Sequence, residues 1–310
     1  MKDPSGTLSV VFNGEIYNFS DLRNELIEQG HSFKSHSDTE VILAAYREWG
    51  LDCVSHFNGM FAFALFDECK KIMFLARDRA GEKPLFYHYK NGVLRFASEL
   101  KALLADPSLP RRIDPESLDC YLTMGYVPGE HCILQGFNKL PPAHAMIFNL
   151  LNAKTKIFRY WQIPVSDNHE LDKNVKVDKQ ALLNELEKLL KDSVRRQLVA
   201  DVPVGVLLSG GVDSSLVTAM AMRVTNKIKT FTIRFSGHDK HDETEHARLI
   251  ARHFGTEHVE LEGDSATPEL LKILACEVDE PIVDSSMIPT YLVSKLVRQQ
   301  CKVALGGKVS

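Results

Sequence analysis

The residues best placed to do chemistry are Ser209, Gly210, Gly211, Asp213 and Ser214, directly after the apolar run Val204-Gly205-Val206-Leu207-Leu208. That run fits a buried parallel strand, and Ser214 to Arg223 then reads as a helix. A strand that turns through glycines into a helix leaves backbone N–H groups unpaired. With the positive end of the helix dipole, those donors suit phosphate or pyrophosphate. A Cβ at Gly210 or Gly211 would hold the backbone away from such an anion. Asp213 adds a carboxylate at the mouth of the turn, where Mg²⁺ carried on ATP could be held. The plainer alternative is a tight turn capped by Ser209 or Asp213.

The turn is not a Walker loop. Gly205 and Gly210 have the outer glycine spacing, but Gly211 stands where the lysine belongs. It resembles instead the S-G-G-x-D-S loop of the ATP pyrophosphatases, which adenylate a substrate and release pyrophosphate. Around it, strands are expected at Val204 to Leu208, Ile228 to Phe235, Glu257 to Leu261 and Lys302 to Leu305. The helices between them are Ser214 to Arg223, Glu243 to Phe254, Pro268 to Glu277 and Ser286 to Gln300. That alternation predicts an α/β open parallel sheet, whose ligands bind beyond the carboxyl ends of the strands. Before it, Gln180 to Leu198 reads as an amphipathic helix with Leu183, Leu186, Leu190 and Val194 along one side.

The first half is patterned differently. Val10 to Asn18 has two short strand-like pieces around Asn13-Gly14, a strong hairpin signal. Ser20 to Gln29 reads as a helix ended by Gly30, and Ser37-Asp38-Thr39-Glu40 has capping-box spacing at the start of another. Gly59 to Asp67 and Ile72 to Arg77 form one hairpin, and Leu85 to Tyr89 with Val93 to Ala97 a second. Leu104 to Leu118, with three prolines, reads as a connecting region, and Ala145 to Trp161 as closing strands. Hairpins with inserted helices predict a layered α+β domain. The expected division is 1–162, a polar linker at 163–180, and 181–310.

As a whole, the chain resembles the glutamine-hydrolysing asparagine synthetases, with a class II, N-terminal-nucleophile glutaminase domain first and an ATP-pyrophosphatase domain second. The matching pieces are Asn13 to Asn18, Ser37 to Glu40, Phe57 to Ala62, Arg77 to Leu85, Phe96 to Leu103 and the glycine loop. The resemblance implies an oxyanion hole from the Asn13 amide and the Gly14 N–H, and Glu15 and Asp38 as acceptors for the α-ammonium of glutamine. It implies that Leu207 and Ile233 flank adenine, that ATP and Mg²⁺ are used, and that Asp279 to Ser286 faces the nucleotide pocket. Arg77 to Leu85 is expected to be architectural, its charges engaged in ion pairs.

The family's nucleophile is a cysteine that becomes residue 1, whereas here Met1-Lys2-Asp3 opens the chain and no cysteine precedes Cys53. Cys53 lies on an apolar stretch and reads as a core thiol. After Leu305 the family continues with a Ser-Gly-acid-Gly loop; here Gly306-Gly307-Lys308-Val309-Ser310 follows, without the acids. The expectation is a chain truncated at both ends, without glutaminase activity and without the full synthetase reaction. Two alternatives stand beside it: a related amidotransferase acting on another carboxylate, and a silent protein that binds nucleotide or a partner, with a homodimer interface built by the first domain.

Composition narrows the rest. A charged share of 25% and a hydrophobic share of 44% exclude disordered and fibrous classes. A net charge of −4 argues against a nucleic-acid-backbone binder, and no apolar run is long enough for a bilayer. Six scattered cysteines without a C-x-x-C pair suggest free thiols and a cytoplasmic setting. Small molecules (glutamine, aspartate, ATP) are the expected partners. His238, His241, His246, His253 and His258 form no recognisable metal pattern and read as a loop with a solvated helix.

Overall fold

A computed structural model of the chain describes residues 1–164, 178–235, 243–263 and 267–307. It divides into two compact units: Met1–Ser166 with Glu277–Val283, and Asp167–Cys276 with Asp284–Ser310. Most of the expected linker, His238, His241 and the last three residues lie outside the described residues.

The first unit begins with β1 (Leu8–Ile16), α1 (Phe19–Glu28), α2 (Asp38–Trp49), a 3-10 turn at Gly50–Asp52 and α3 (Cys53–His56). Next come β2 (Gly59–Asp67), β3 (Ile72–Arg77), β4 (Phe86–Lys90), β5 (Val93–Ala97) and α4 (Leu100–Leu103). It continues through α5 (Pro115–Met124), β6 (Phe137–Lys139), β7 (His144–Asn149) and β8 (Lys154–Arg159). The strands form one sheet ordered β1-β2-β3-β7-β8 and another ordered β5-β4-β6, all pairs antiparallel.

The alternation of β2 explains the layering. Phe61, Phe63 and Leu65 point to one face and pack with Leu22 and Leu26 of α1 and Val41, Ile42 and Ala45 of α2. Ala62 and Ala64 point to the other face, where Leu75 and Met146 meet Leu85, Tyr87 and Leu140 near the second sheet. Large rings face helices and methyl groups face a sheet. Each fully buried phenylalanine contributes roughly 2–3 kcal/mol on that basis.

Two sequence expectations fail here. The predicted hairpin at Asn13-Gly14 does not form: β1 runs unbroken beside β2, from Leu8 opposite Asp67 to Ile16 opposite Gly59. Gly14 sits at φ +151°, and a Cβ there would lie 2.1 Å from the Met60 carbonyl oxygen. An Asn-Gly pair makes a hairpin only if its flanks pair with each other, and here both pair with β2. The connecting region also contains the start of α5, whose Pro115 occupies the first turn while the Asp114 carboxylate accepts from Ser117 N at 2.9 Å. Proline at that position opens a helix rather than breaking one.

The second unit comprises α6 (Lys179–Gln197), β9 (Val204–Leu207), α7 (Val212–Val224), β10 (Lys229–Phe235) and α8 (Thr244–Phe254). Then follow β11 (Glu257–Gly263), α9 (Pro268–Glu277), α10 (Met287–Val297) and β12 (Val303–Leu305). The sheet is ordered β11-β10-β9-β12 and is parallel throughout. The α6 face departs from expectation: Val194 is buried and Leu190 partly so, but Leu183 and Leu186 are more than half exposed. Only the second half of that leucine side meets α7 and β9.

Candidate functional site

The first cluster lies at the end of β1. Asn13 and Glu15 share the exposed face of the strand, as the two-residue period requires. Asn13 Nδ2 donates to Ser98 Oγ at 3.2 Å. Asp38, the first residue of α2, accepts from Ile16 N through Oδ2 at 3.1 Å, which brings its carboxylate beside the strand end. Asn18 ties the next motif in, since Asn58 N donates to its Oδ1 at 2.9 Å and its Nδ2 donates to His56 O at 3.0 Å. Burial, with the carboxylates of Glu82, Glu15 and Asp78 nearby, pushes the Tyr17 hydroxyl up to about 12. The carboxylates of Glu15, Asp78 and Glu82 thus lie near Tyr17 at this strand end.

The cap on α2 is not the full capping box. Ser37 Oγ accepts from Thr39 N at 3.1 Å, while Glu40 reaches past Ser37 to Lys34 N at 2.9 Å and Ser35 N at 2.7 Å. Burial alone would raise the Glu40 carboxyl, but these bonds and that from Ser35 Oγ hold it below its ordinary range. Glu40 thus folds the loop that leads to Asp38.

Arg77 to Leu85 is architectural through the backbone rather than through ion pairs. Asp78 accepts from the N–H groups of Phe61, Ala80, Gly81, Glu82 and Lys83. Arg77 donates to the carbonyls of Lys83, Leu140 and Gly81 at 2.7–2.8 Å. Cys53 is fully buried with its thiol pushed far up by burial, the behaviour of a core residue.

The second cluster follows β9. Leu208 is anchored at both ends, its N–H donating to Phe231 O at 2.8 Å and its carbonyl accepting from Thr232 Oγ1 at 2.5 Å. Beyond it the chain turns. Ser214 Oγ lies 3.0 Å from Ser209 Oγ and donates to Gly211 O at 3.2 Å, and Gly211 N donates to Ser209 Oγ at 3.3 Å. Ser209 and Asp213 are exposed, so the corner is open to solvent while Ser214 is buried.

The two glycines differ in a way the sequence did not reveal. Gly210 has φ +84°, and a Cβ would stand 2.6 Å from His246 Cβ and 2.7 Å from Ala247 N, so packing against α8 already demands glycine. At Gly211 a Cβ would meet only Ser209 Oγ, at 3.4 Å, leaving that position open to a ligand. Gly307, after β12, lies against the same corner: its Cβ would be 2.5 Å from Ser214 N. Strand order reverses direction between β9 and β12, so the corner occupies the topological switch point of the sheet.

Leu207 and Ile233 share a partly buried cluster with Phe231, Val297 and Cys301. Leu207 also lines a cavity of about 580 Å³ with Val293, Ser294, Arg298, Lys302 and Ala304. Asp279 and Glu280 do not join this cluster. They belong to the first unit, where Glu280 accepts from Lys139 Nζ at 2.7 Å and from Ile133 N at 2.8 Å. Asp284 accepts from Ser286 N at 2.8 Å just before α10. Among the described residues, no set of three or more His, Cys, Asp or Glu side chains is grouped as metal ligands. A magnesium ion carried on phosphates needs fewer protein ligands, and the exposed Asp213 carboxylate fits that need.

A first unit of antiparallel sheets with helices and a second unit with a parallel sheet and a glycine corner make this a two-domain chain. The chain belongs to the glutamine amidotransferase domain family, matched over residues 1–161, and it matches asparagine synthase over residues 185–310. It is 36% identical to a putative glutamine-hydrolysing asparagine synthetase 2 of Methanocaldococcus jannaschii, over 96% of this chain and 56% of the relative. To asparagine synthetase 3 of Bacillus subtilis it is 41% identical, over 76% of this chain and 38% of that protein. To asparagine synthetase 1 of the same organism the figures are 33%, 97% and 46%. The chain spans about half the length of the curated relatives it matches. Among the described residues, no helix is long and apolar enough to cross a membrane.

Proposed function

We propose that this chain carries the glutamine site and the ATP site of a glutamine-hydrolysing asparagine synthetase. In the whole reaction, aspartate, glutamine, ATP and water become asparagine, glutamate, AMP and pyrophosphate. The side-chain carboxylate of aspartate displaces pyrophosphate from ATP, and ammonia released from glutamine then displaces AMP. Adenylation is required because a bare carboxylate oxygen is too poor a leaving group.

The residues present serve binding and charge stabilisation. Asn13 and the Gly14 N–H polarise the glutamine carboxamide, and Asp38 and Glu15 accept its α-ammonium. Ser209, Gly211 and Ser214 cradle the phosphate tail, with Asp213 toward Mg²⁺, and Leu207 and Ile233 flank the adenine. The observation that carries this reading is the open glycine corner at the switch point between β9 and β12. The six free cysteines accord with a reducing, cytoplasmic setting.

Calorimetric titration of the chain with Mg·ATP and, separately, with L-glutamine tests it. Saturable binding of both is expected. Asp213→Ala is expected to weaken ATP at least tenfold and leave glutamine unchanged, a loss in the range of one charge-assisted contact. Equal ATP affinity in wild type and Asp213→Ala refutes the nucleotide assignment.

A further inference from the structure

The segment Glu277–Val283 belongs to the first unit although its sequence matches asparagine synthase. Its Asp279 carboxylate accepts from the first two amides of α4, Leu100 N at 2.7 Å and Lys101 N at 3.2 Å. The N-cap residue of α4, Glu99, makes no side-chain cap of its own, so Asp279 supplies what the local sequence omits. Immediately before that cap stands Ser98, whose Oγ accepts from Asn13 Nδ2.

We infer that Asp279 and Ser98 form a positioning relay that sets the carboxamide of Asn13. Asp279 clamps the start of α4, the start of α4 places Ser98, and Ser98 accepts one N–H of Asn13. A carboxamide on an exposed strand can present either its oxygen or its nitrogen after a half-turn about χ2. An oxygen facing a developing oxyanion repels it, whereas an N–H stabilises it. The bond to Ser98 fixes the plane of the carboxamide; with Nδ2 donating to Oγ, as here, the second N–H is left for the substrate oxygen. Ser98 and Asp279 need touch no substrate. Neither bond is local: Asn13 and Ser98 are 85 positions apart, and Leu100 and Asp279 are 179 apart. The inference rests on the glutamine reading of Asn13 for its consequence, but not for its geometry.

The test uses the full chain, labelled with nitrogen-15, in three variants. Asp279→Ala is expected to speed hydrogen exchange at Leu100 and Lys101 about tenfold, the effect of losing one charge-assisted bond, and to shift the Asn13 side-chain NH₂ resonances. Ser98→Ala should shift the same resonances without touching Leu100 or Lys101, and Ser98→Thr, which keeps the hydroxyl, should restore them. L-Glutamine affinity should fall several-fold in both alanine variants, with ATP affinity unchanged, and recover in Ser98→Thr.

Unmoved Asn13 resonances in Ser98→Ala, or in an Asp279→Ala chain whose Leu100 exchange has accelerated, overturn the relay. Should Asp279→Ala fail to fold, Asp279→Asn, which keeps one acceptor oxygen, is read in the same way. A wild-type chain that binds no glutamine refutes the proposed function, while the resonances still decide the relay.

Discussion

Glu280 Oε2 lies 2.7 Å from Lys139 Nζ, across 141 positions of sequence, with both side chains largely withdrawn from water. The pair is hydrogen-bonded around its edges, Glu280 to Ile133 N at 2.8 Å and Lys139 to Val127 O at 2.7 Å. Removing one partner strands the other charge. Glu280→Ala is therefore expected to cost about 3 kcal/mol of first-unit stability. Glu280→Gln, which can still accept from Ile133 N, should cost less. Urea denaturation followed by a first-unit probe measures both.

Asp78 is expected to be less replaceable than its lack of a catalytic role suggests. It is 1% exposed and binds backbone amides on β2 and in the turn Ala80 to Lys83. Asp78→Asn puts an NH₂ group against N–H donors and should cost about 2–4 kcal/mol, since buried donors lose their acceptor. Thermal unfolding would show it as a lowered midpoint.

The glycine corner offers a clean separation of fold from ligand. Gly210→Ala must place a Cβ 2.6 Å from His246 Cβ at φ +84°, and should destabilise the second unit by about 1–3 kcal/mol. Gly211→Ala meets only Ser209 Oγ at 3.4 Å and should fold normally while binding Mg·ATP more weakly. Comparing unfolding midpoints with ATP affinities in the two variants checks both statements.

Acid should unfold the first unit through two carboxylates. Burial would raise Asp3, but bonds from Leu8 N, Ser5 Oγ and Arg47 hold it far below the carboxylate range, and Glu40 is also lowered. In each case the unfolded chain binds the proton at higher pH than the native one. Their stabilisation is complete above about pH 5 and is lost as pH falls through about 4 and below. Asp3→Asn should lower stability at pH 7 and flatten the acid limb of a stability–pH curve.

Legibility in the sequence followed the range of the interactions. Strand bounds at Gly59–Asp67 and Ile72–Arg77, and the helix at Pro268–Glu277, agree with the structure because alternation, turn residues and a proline start are local signals. Asn13-Gly14 misled for the same reason: its local preference for a hairpin yields to pairing of the whole strand with β2. The leucine side of α6 was half right, since periodicity says which residues share a face and not how far a neighbour extends along it. Ser98 stood inside a recognised motif, but nothing adjacent to it pointed to Asn13.

The sequence alone determined that a glycine turn follows a buried strand and that two differently patterned halves share the chain. Those properties depend on residues a few positions apart. Only the tertiary structure decided that Gly210 answers to α8 while Gly211 stays open, and that Gly307 closes on Ser214. It alone assigned Asp279 and Glu280 to the first unit, far along the chain from their partners. Contacts of that kind arise from burial and hydrogen-bond satisfaction in three dimensions, which leave no period in the sequence.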